Sequence, residues 1–338
     1  MSVIRQVKKE RLKKYRIGVI ILVLMLSIAI VLMLMLGNTI YPVTDVLQSV
    51  LGNTDAQSHF AIQSIRLPRM LAGLLTGFSF GVAGYVFQTM LKNPLANPNV
   101  LGITTGSSAG AVFCIVLLQS SRAEISLASI VAGLATTLLI YLLAGRKNFS
   151  NSKLILIGIG MQAMLGSFIS YLLLISSENN VPSALRWLNG SLNGIQMKEL
   201  TGLFIALCIG IPFLIIASKK LAILELGDEL AVSLGVKVNQ TRLLLMLTSV
   251  LLVALATALT GPIAFVSFLA GPITKRIVGT GASPLLPSGL FGAILVLFAD
   301  ILGQFAFQTR VPVGIVTGLI GAPYLIYLLI RMSKRGEF

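Results

Sequence analysis

The stretch from Ile65 to Gly110, IRLPRMLAGLLTGFSFGVAGYVFQTMLKNPLANPNVLGITTGSSAG, decides how the chain is read. Arg66-Leu67-Pro68-Arg69 opens an apolar run that continues to Leu91. Pro68 suits the first turn of a helix, where its missing N–H has no partner to lose. The run is long enough to cross a bilayer, which takes about 20 residues. Gly73, Gly77 and Gly81 recur at every fourth position and Gly84 widens the stripe. Such a face lets another helix approach closely in lipid. The span ends at Lys92-Asn93-Pro94-Leu95-Ala96-Asn97-Pro98. Asn93, Pro94 and Pro98 are structural here, because two prolines and capping asparagines force a turn. Leu101-Gly102 opens the next run, where Gly106 and Gly110 repeat the spacing. The stretch therefore predicts two closely packed membrane helices joined by a rigid elbow.

Composition agrees with a bilayer setting. With 338 residues, 56% of them hydrophobic, only 11% charged and a mean hydropathy of +0.93, polar groups are too few to cover a soluble globule. Ten apolar runs are long enough, or nearly so, to span: 17–36, 68–91, 100–118, 125–144, 154–175, 200–217, 243–261, 263–278, 286–307 and 313–330. The net charge of +15 would suggest nucleic acid in a soluble protein, so its distribution matters. If the N-terminus is cytoplasmic, most of the basic residues fall in inner segments, among them the cluster Arg5–Arg16, Arg146, Lys147, Lys219 and Lys220. The outer segments keep Arg66, Arg69, Arg122, Arg186, Lys198 and Arg310. That asymmetry is the positive-inside signature of a multi-pass protein of the plasma membrane with both termini in the cytoplasm, and nucleic acid is rejected as a partner in favour of membrane lipid. The chain divides into a basic N-terminus (1–16), one transmembrane domain (17–331) and a short tail (332–338). The first run is too long for a signal peptide and lacks a cleavage site, so it is expected to be retained.

Several chemistries are excluded. Cys114 and Cys208 show no ligand spacing and His59 is the sole histidine, so neither a metal site nor a histidine-paired haem is supported. No phosphate-binding loop, nucleophile elbow, zinc-protease motif or paired intramembrane carboxylate occurs. The chain is thus expected to bind no cofactor and to be no enzyme. Asp300 is the one acid well inside a run, and such a group is a functional candidate by default. Its two readings are a structural acid bonded to neighbouring backbone or hydroxyls, and a proton relay, which would want further acids. The lack of those acids weakens an ion-coupled secondary transporter. Trp187 reads as a headgroup-belt residue or as a grip for a partner. Gly261-Pro262, Gly271-Pro272 and Gly321-Ala322-Pro323 break helices inside lipid, and such breaks must be buried in protein or line a cavity. Runs two to five and seven to ten carry similar devices, the mark of inverted repeats.

The inner segment 218–242 differs from the other short inner loops. Leu226-Gly227-Asp228-Glu229-Leu230-Ala231-Val232-Ser233-Leu234-Gly235 reads as a short amphipathic helix with acids in its first turn and a glycine stop. It is either a cover over the bundle or a knob presented to a soluble partner.

The Arg-Leu-Pro-Arg start, Gln88, the Asn-Pro-Leu-Ala elbow and the Leu-Gly that follows together resemble the FecCD-type permeases, the membrane subunits of ABC importers for ferric siderophores, haem and cobalamin. The likeness extends at least from Ile62 to Leu329. It implies an all-α polytopic membrane protein of the type II ABC importer class, with about ten transmembrane helices, paired with a second copy or a paralogue. It further implies two cytoplasmic ATPase subunits, which hold the ATP and Mg, and an extracytoplasmic siderophore-binding protein. Carried onto this chain, the resemblance makes Gly227, Asp228, Glu229, Ala231, Leu234 and Gly235 the coupling helix. It puts Gly158, Gly160, Met161 and Gln162 of the fifth span, with Gly314, Thr317 and Gly318 of the tenth, along the translocation path. Arg66, Arg69 and Arg310 become docking residues for the binding protein, with headgroup anchoring as the other reading of the first two. The chain departs from the family at Ile273, where many members have histidine, at Gln304, where they have arginine, and at Arg310, where they have glutamate. These departures fit a ferric siderophore better than cobalamin.

Overall fold

In hydrocarbon a backbone must satisfy its own N–H and C=O groups, and the apolar runs accordingly fold as helices. The computed structural model describes residues 2–51, 56–144, 151–279 and 281–335. Arg146 and Lys147, counted above among the inner basic residues, lie outside that set. Ten principal helices follow in order: α1 (Ser2–Met35), α2 (Leu67–Met90), α3 (Ile103–Phe113), α4 (Arg122–Ala144), α5 (Asn151–Leu174), α6 (Thr201–Glu225), α7 (Val238–Thr260), α8 (Val266–Val278), α9 (Leu285–Phe305) and α10 (Val313–Arg335). No strand occurs among the described residues. Eight of the helices are long and apolar enough to cross a membrane. The remaining two are short: α3, which continues as wider π-type turns over Cys114–Leu118, and the 13-residue α8. Both follow a proline-bearing break, so the two halves of the chain share a short helix in the corresponding place.

The centre of the bundle is α2. Its span is 83% buried, against α6, α7, α8 and α9. The glycine stripe explains this position, though with partners other than the expected one. A Cβ on Gly77 would stand 2.5 Å from the Gly292 carbonyl oxygen, and one on Gly81 2.2 Å from that of Ser288, so α2 and α9 meet backbone to backbone. Gly84 meets Ser267 of α8 in the same way. The stripe on α3 turns elsewhere, with Gly106 and Gly110 against Thr136, Ala132 and Ala128 of α4. The two helices flanking the elbow are therefore not each other's close partners, because the glycine face of α2 is filled by α8 and α9 from far along the chain and that of α3 by the next helix, α4.

The elbow has the expected rigidity. Lys92 and Gly102 take left-handed backbone angles (φ 52° and 63°), and the Leu95 N–H donates to the Asn93 side-chain oxygen at 2.8 Å. Pro98 starts the 3₁₀ turn Pro98–Leu101, and Pro94 sits exposed between them. Pro68 occupies the first turn of α2 and is buried.

The break between α7 and α8 is covered by protein. Gly261 (φ 75°) faces the Trp187 carbonyl, Gly190 faces that of Pro262, and Gly314 faces that of Asn189. The Ser191 N–H donates to the Thr260 carbonyl at 2.7 Å. The loop helix Val181–Leu188 is thereby held down, and Trp187 packs partly buried against the cluster of Val112, Ile115, Ile169 and Leu172.

Candidate functional site

Three places carry the residues singled out from sequence. The first is the turn between α6 and α7, at the basic end of the bundle. The helix Asp228–Ser233 has six residues, too few to persist alone, so its position depends on anchors. Arg242 of α7, itself 8% exposed, donates to both Asp228 carboxylate oxygens at 2.9 and 2.7 Å. Glu225 of α6 accepts from Lys275 of α8 at 3.0 Å. Gly227 (φ 125°) and Gly235 (φ 79°) allow the sharp entry and exit. So fixed, the turn leaves Leu226, Leu230, Val232 and Leu234 more than half exposed beside the exposed Glu229, an apolar knob of the kind that marks a protein contact. Ala231 is fully buried against its own chain. Of the residues that the resemblance assigns to the coupling helix, Ala231 therefore offers a partner no surface: it lies beneath the knob, while Leu230 and Val232 face outward.

The second place is the opposite end, around the starts of α2 and α10. Arg69 donates through Nε and Nη2 to the two Asp300 oxygens, both at 2.8 Å, and Gln304 adds a third donor at 2.7 Å. Asp300 is 2% exposed, and its partners are a cation and an amide on α2 and α9 rather than the local backbone or hydroxyls expected. Arg66 is occupied differently. It donates to the carbonyls of Leu34, Met35 and Thr39 and lies 4.8 Å from the Tyr41 ring centre, clamping the end of α1. Arg310 is exposed and donates to the Asn38 side chain at 2.9 Å. The structure thus gathers Arg66 and Arg310 at the end of α1 and directs Arg69 inward.

The third place is formed by two helices that the bundle leaves largely uncovered. Only 17% of the α5 span is buried, the least of the eight, and 33% of the α10 span, the same share as α4 and α6 and slightly above the 28% of α1. A Cβ at Gly160 or Gly318 would meet nothing within 4 Å. Gly158, Gly314 and Thr317 lie inside the single chain, and Met161 and Gln162 are half-buried. Gln162 donates to the Asn99 carbonyl, tying α5 to the elbow.

Sequence reasoning missed the Asp228–Arg242 pair and the role of Gln88, whose side chain donates to the Phe268 carbonyl at 2.9 Å and joins α2 to α8. The partner of Asp300 had a signal: a carboxylate in lipid requires a cation, and Arg69 was one of few on that side.

The family model described as the FecCD transport family matches residues 24–331. The ferric enterobactin transport system permease protein FepG of Escherichia coli (strain K12) is 38% identical over 303 residues, 88% of this chain and 91% of the relative. The Fe(3+)-citrate import system permease protein YfmE of Bacillus subtilis (strain 168) is 36% identical over 96% of this chain and 98% of its own length. A solved structure described as an inward-facing metal-chelate type ABC transporter superposes with a TM-score of 0.82 at 30% identity, covering 92% of this chain and 97% of that one.

Proposed function

Since the chain belongs to the FecCD transport family, we propose that this multi-pass membrane protein is the permease of an ATP-driven importer that moves a ferric siderophore inward across the plasma membrane. The observation that carries the reading is the anchored apolar knob. A chain with no nucleotide-binding motif holds Leu226, Leu230, Val232 and Leu234 out of its fold with two ion pairs, which suits a groove on a separate ATPase. That subunit, present twice, supplies the ATP hydrolysis. The basic end then faces the cytoplasm with both termini, in keeping with the positive-inside rule. A lipid-anchored or periplasmic binding protein delivers the chelate at the other end, where Arg310 offers a charge with no acidic partner among the described residues. The conduit lies between this chain and a second permease subunit, along the open sides of α5 and α10. Relatives whose names carry ferric enterobactin and ferric citrate support an iron chelate as cargo over haem or cobalamin.

The test is ATPase activity of the reconstituted complex, measured with binding protein loaded with catecholate, citrate or hydroxamate ferric chelates. Stimulation by one chelate class supports the proposal. Uptake driven by a proton gradient in the absence of the ATPase would replace it with an ion-coupled transporter.

A further inference from the structure

At the basic end, a cleft of about 500 Å³ opens between α1, α2 and α9. Its walls are carbon, from Val19, Ile20, Phe78 and Leu290, and its lining also includes the half-buried Tyr15 and the exposed Arg16. The cleft is built into the packing. Tyr15 donates to the Ser283 carbonyl at 3.3 Å, and Gly18 lets α1 approach the backbone of Ile277 and Val278. These contacts hold α1 against the connection from α8 to α9 and leave the space beside it. On the open side α1 presents Ile17, Ile20 and Ile21 to the surroundings of the bundle.

Charge continues the line of the cleft. Lys9, Lys13, Arg16 and Ile20 are spaced by four, three and four residues on one continuous helix, so the basic groups form a stripe that runs directly into the cleft wall. All three are exposed, and none has an ion-pair partner among the described residues. An apolar slot facing lipid, ending in unpartnered cations at the depth where the apolar run meets its basic flank, matches one ligand chemistry.

We infer that the cleft holds one acyl chain of an anionic phospholipid, with the phosphate at Arg16 and Lys13. Free phosphate would leave the carbon walls unfilled. A zwitterionic lipid would fill them but add no net negative charge for the stripe.

The full chain, purified in detergent, is titrated with dioleoyl-phosphatidylglycerol, dioleoyl-phosphatidylcholine or inorganic phosphate, and bound lipid is counted by native mass spectrometry. One tightly retained phosphatidylglycerol is expected, with phosphatidylcholine weaker and phosphate without effect. A basic residue near an anionic surface changes affinity about fivefold, so Lys13→Gln with Arg16→Gln should weaken phosphatidylglycerol roughly 30-fold. Lys8→Gln with Arg11→Gln removes the same charge from other faces of α1 and should leave it nearly unchanged. Leu290→Trp should fill the cleft and displace the lipid, with a retained melting transition showing that the fold persists. Equal retention of both lipids, competition by phosphate alone, or an equal loss in the two charge variants would each overturn the site.

Discussion

The Asp300 carboxylate is only 2% exposed, and its two oxygens receive three N–H donors, two from Arg69 and one from Gln304. Removing one partner of such a pair leaves the other charge unmatched, which costs up to about 3–5 kcal/mol in buried settings. Asp300→Asn should therefore lower the melting temperature of the purified chain, and adding Arg69→Met should restore part of the loss. A coupling of about 1–3 kcal/mol is expected from the double-mutant cycle. Additive effects would show that the pair is incidental. The same geometry separates the three arginines proposed for docking. Arg66 holds carbonyls at the end of α1, so Arg66→Glu should weaken stability before it weakens any partner. Arg310, exposed and beside Asn38, is free to meet an acidic lobe. Exposed ion pairs are weak, so Arg310→Glu should reduce binding-protein affinity at most about fivefold, and less at high salt. Lost docking in Arg66→Glu with an unchanged melting temperature would reverse this assignment.

Short elements gain their orientation from anchors, which is why the turn between α6 and α7 was only half legible in sequence. Its existence followed from Gly227, the acids of the first turn and Gly235. Whether it is a cover or a knob did not follow, since six residues hold fewer than two turns and the Asp228–Arg242 pair that sets the rotation links residues 14 apart. That rotation makes a sharp distinction between neighbours. Leu230→Asp and Leu234→Asp place a charge on the exposed knob and should leave the permease folded but unable to stimulate ATP hydrolysis on substrate delivery. Ala231→Asp buries a charge with no partner, and loss of the folded chain is expected instead. Thermal stability measured beside substrate-stimulated ATPase activity distinguishes the two cases. Wild-type coupling in Leu230→Asp would remove the knob from the ATPase interface. The glycine stripe of α2 was legible in the same partial sense: its spacing announced a close helix contact, but spacing has no term for which helix arrives, and α9 lies more than 200 residues further along the chain.

The whole molecule followed from the sequence as far as single-chain hydropathy reaches. All ten runs became helices, the breaks at Pro262 and the elbow fell where glycine and proline required them, and the shortness of α3 and α8 reflected those breaks, but the breaks expected at Gly271-Pro272 and Gly321-Ala322-Pro323 do not occur: Pro272 and Pro323 are carried inside the continuous helices α8 and α10. Pairings such as α2 with α9, or Arg69 with Asp300 across 231 positions, depend on three-dimensional closure and leave no local pattern. The uncovered sides of α5 and α10 are a property of the same order, because nothing in their composition says whether lipid or a second permease faces them. In lipid, helices associate through close packing of small residues, so a glycine facing lipid and one facing a conduit look alike in sequence. They differ in what a large side chain would do. Gly160 and Gly318 have open space before them, so Gly160→Phe and Gly318→Phe should fold and assemble with a melting temperature near that of the wild type. If α5 and α10 line the path between two permease subunits, either ring narrows the passage and uptake of the ferric chelate should fall to background while basal ATP hydrolysis continues. Gly314→Phe is the contrasting case: even a Cβ there would stand 2.1 Å from the Asn189 carbonyl oxygen, so the fold itself should fail. Normal uptake by both Gly160→Phe and Gly318→Phe, in assembled complexes, would mean that these open sides meet lipid and that the conduit runs elsewhere.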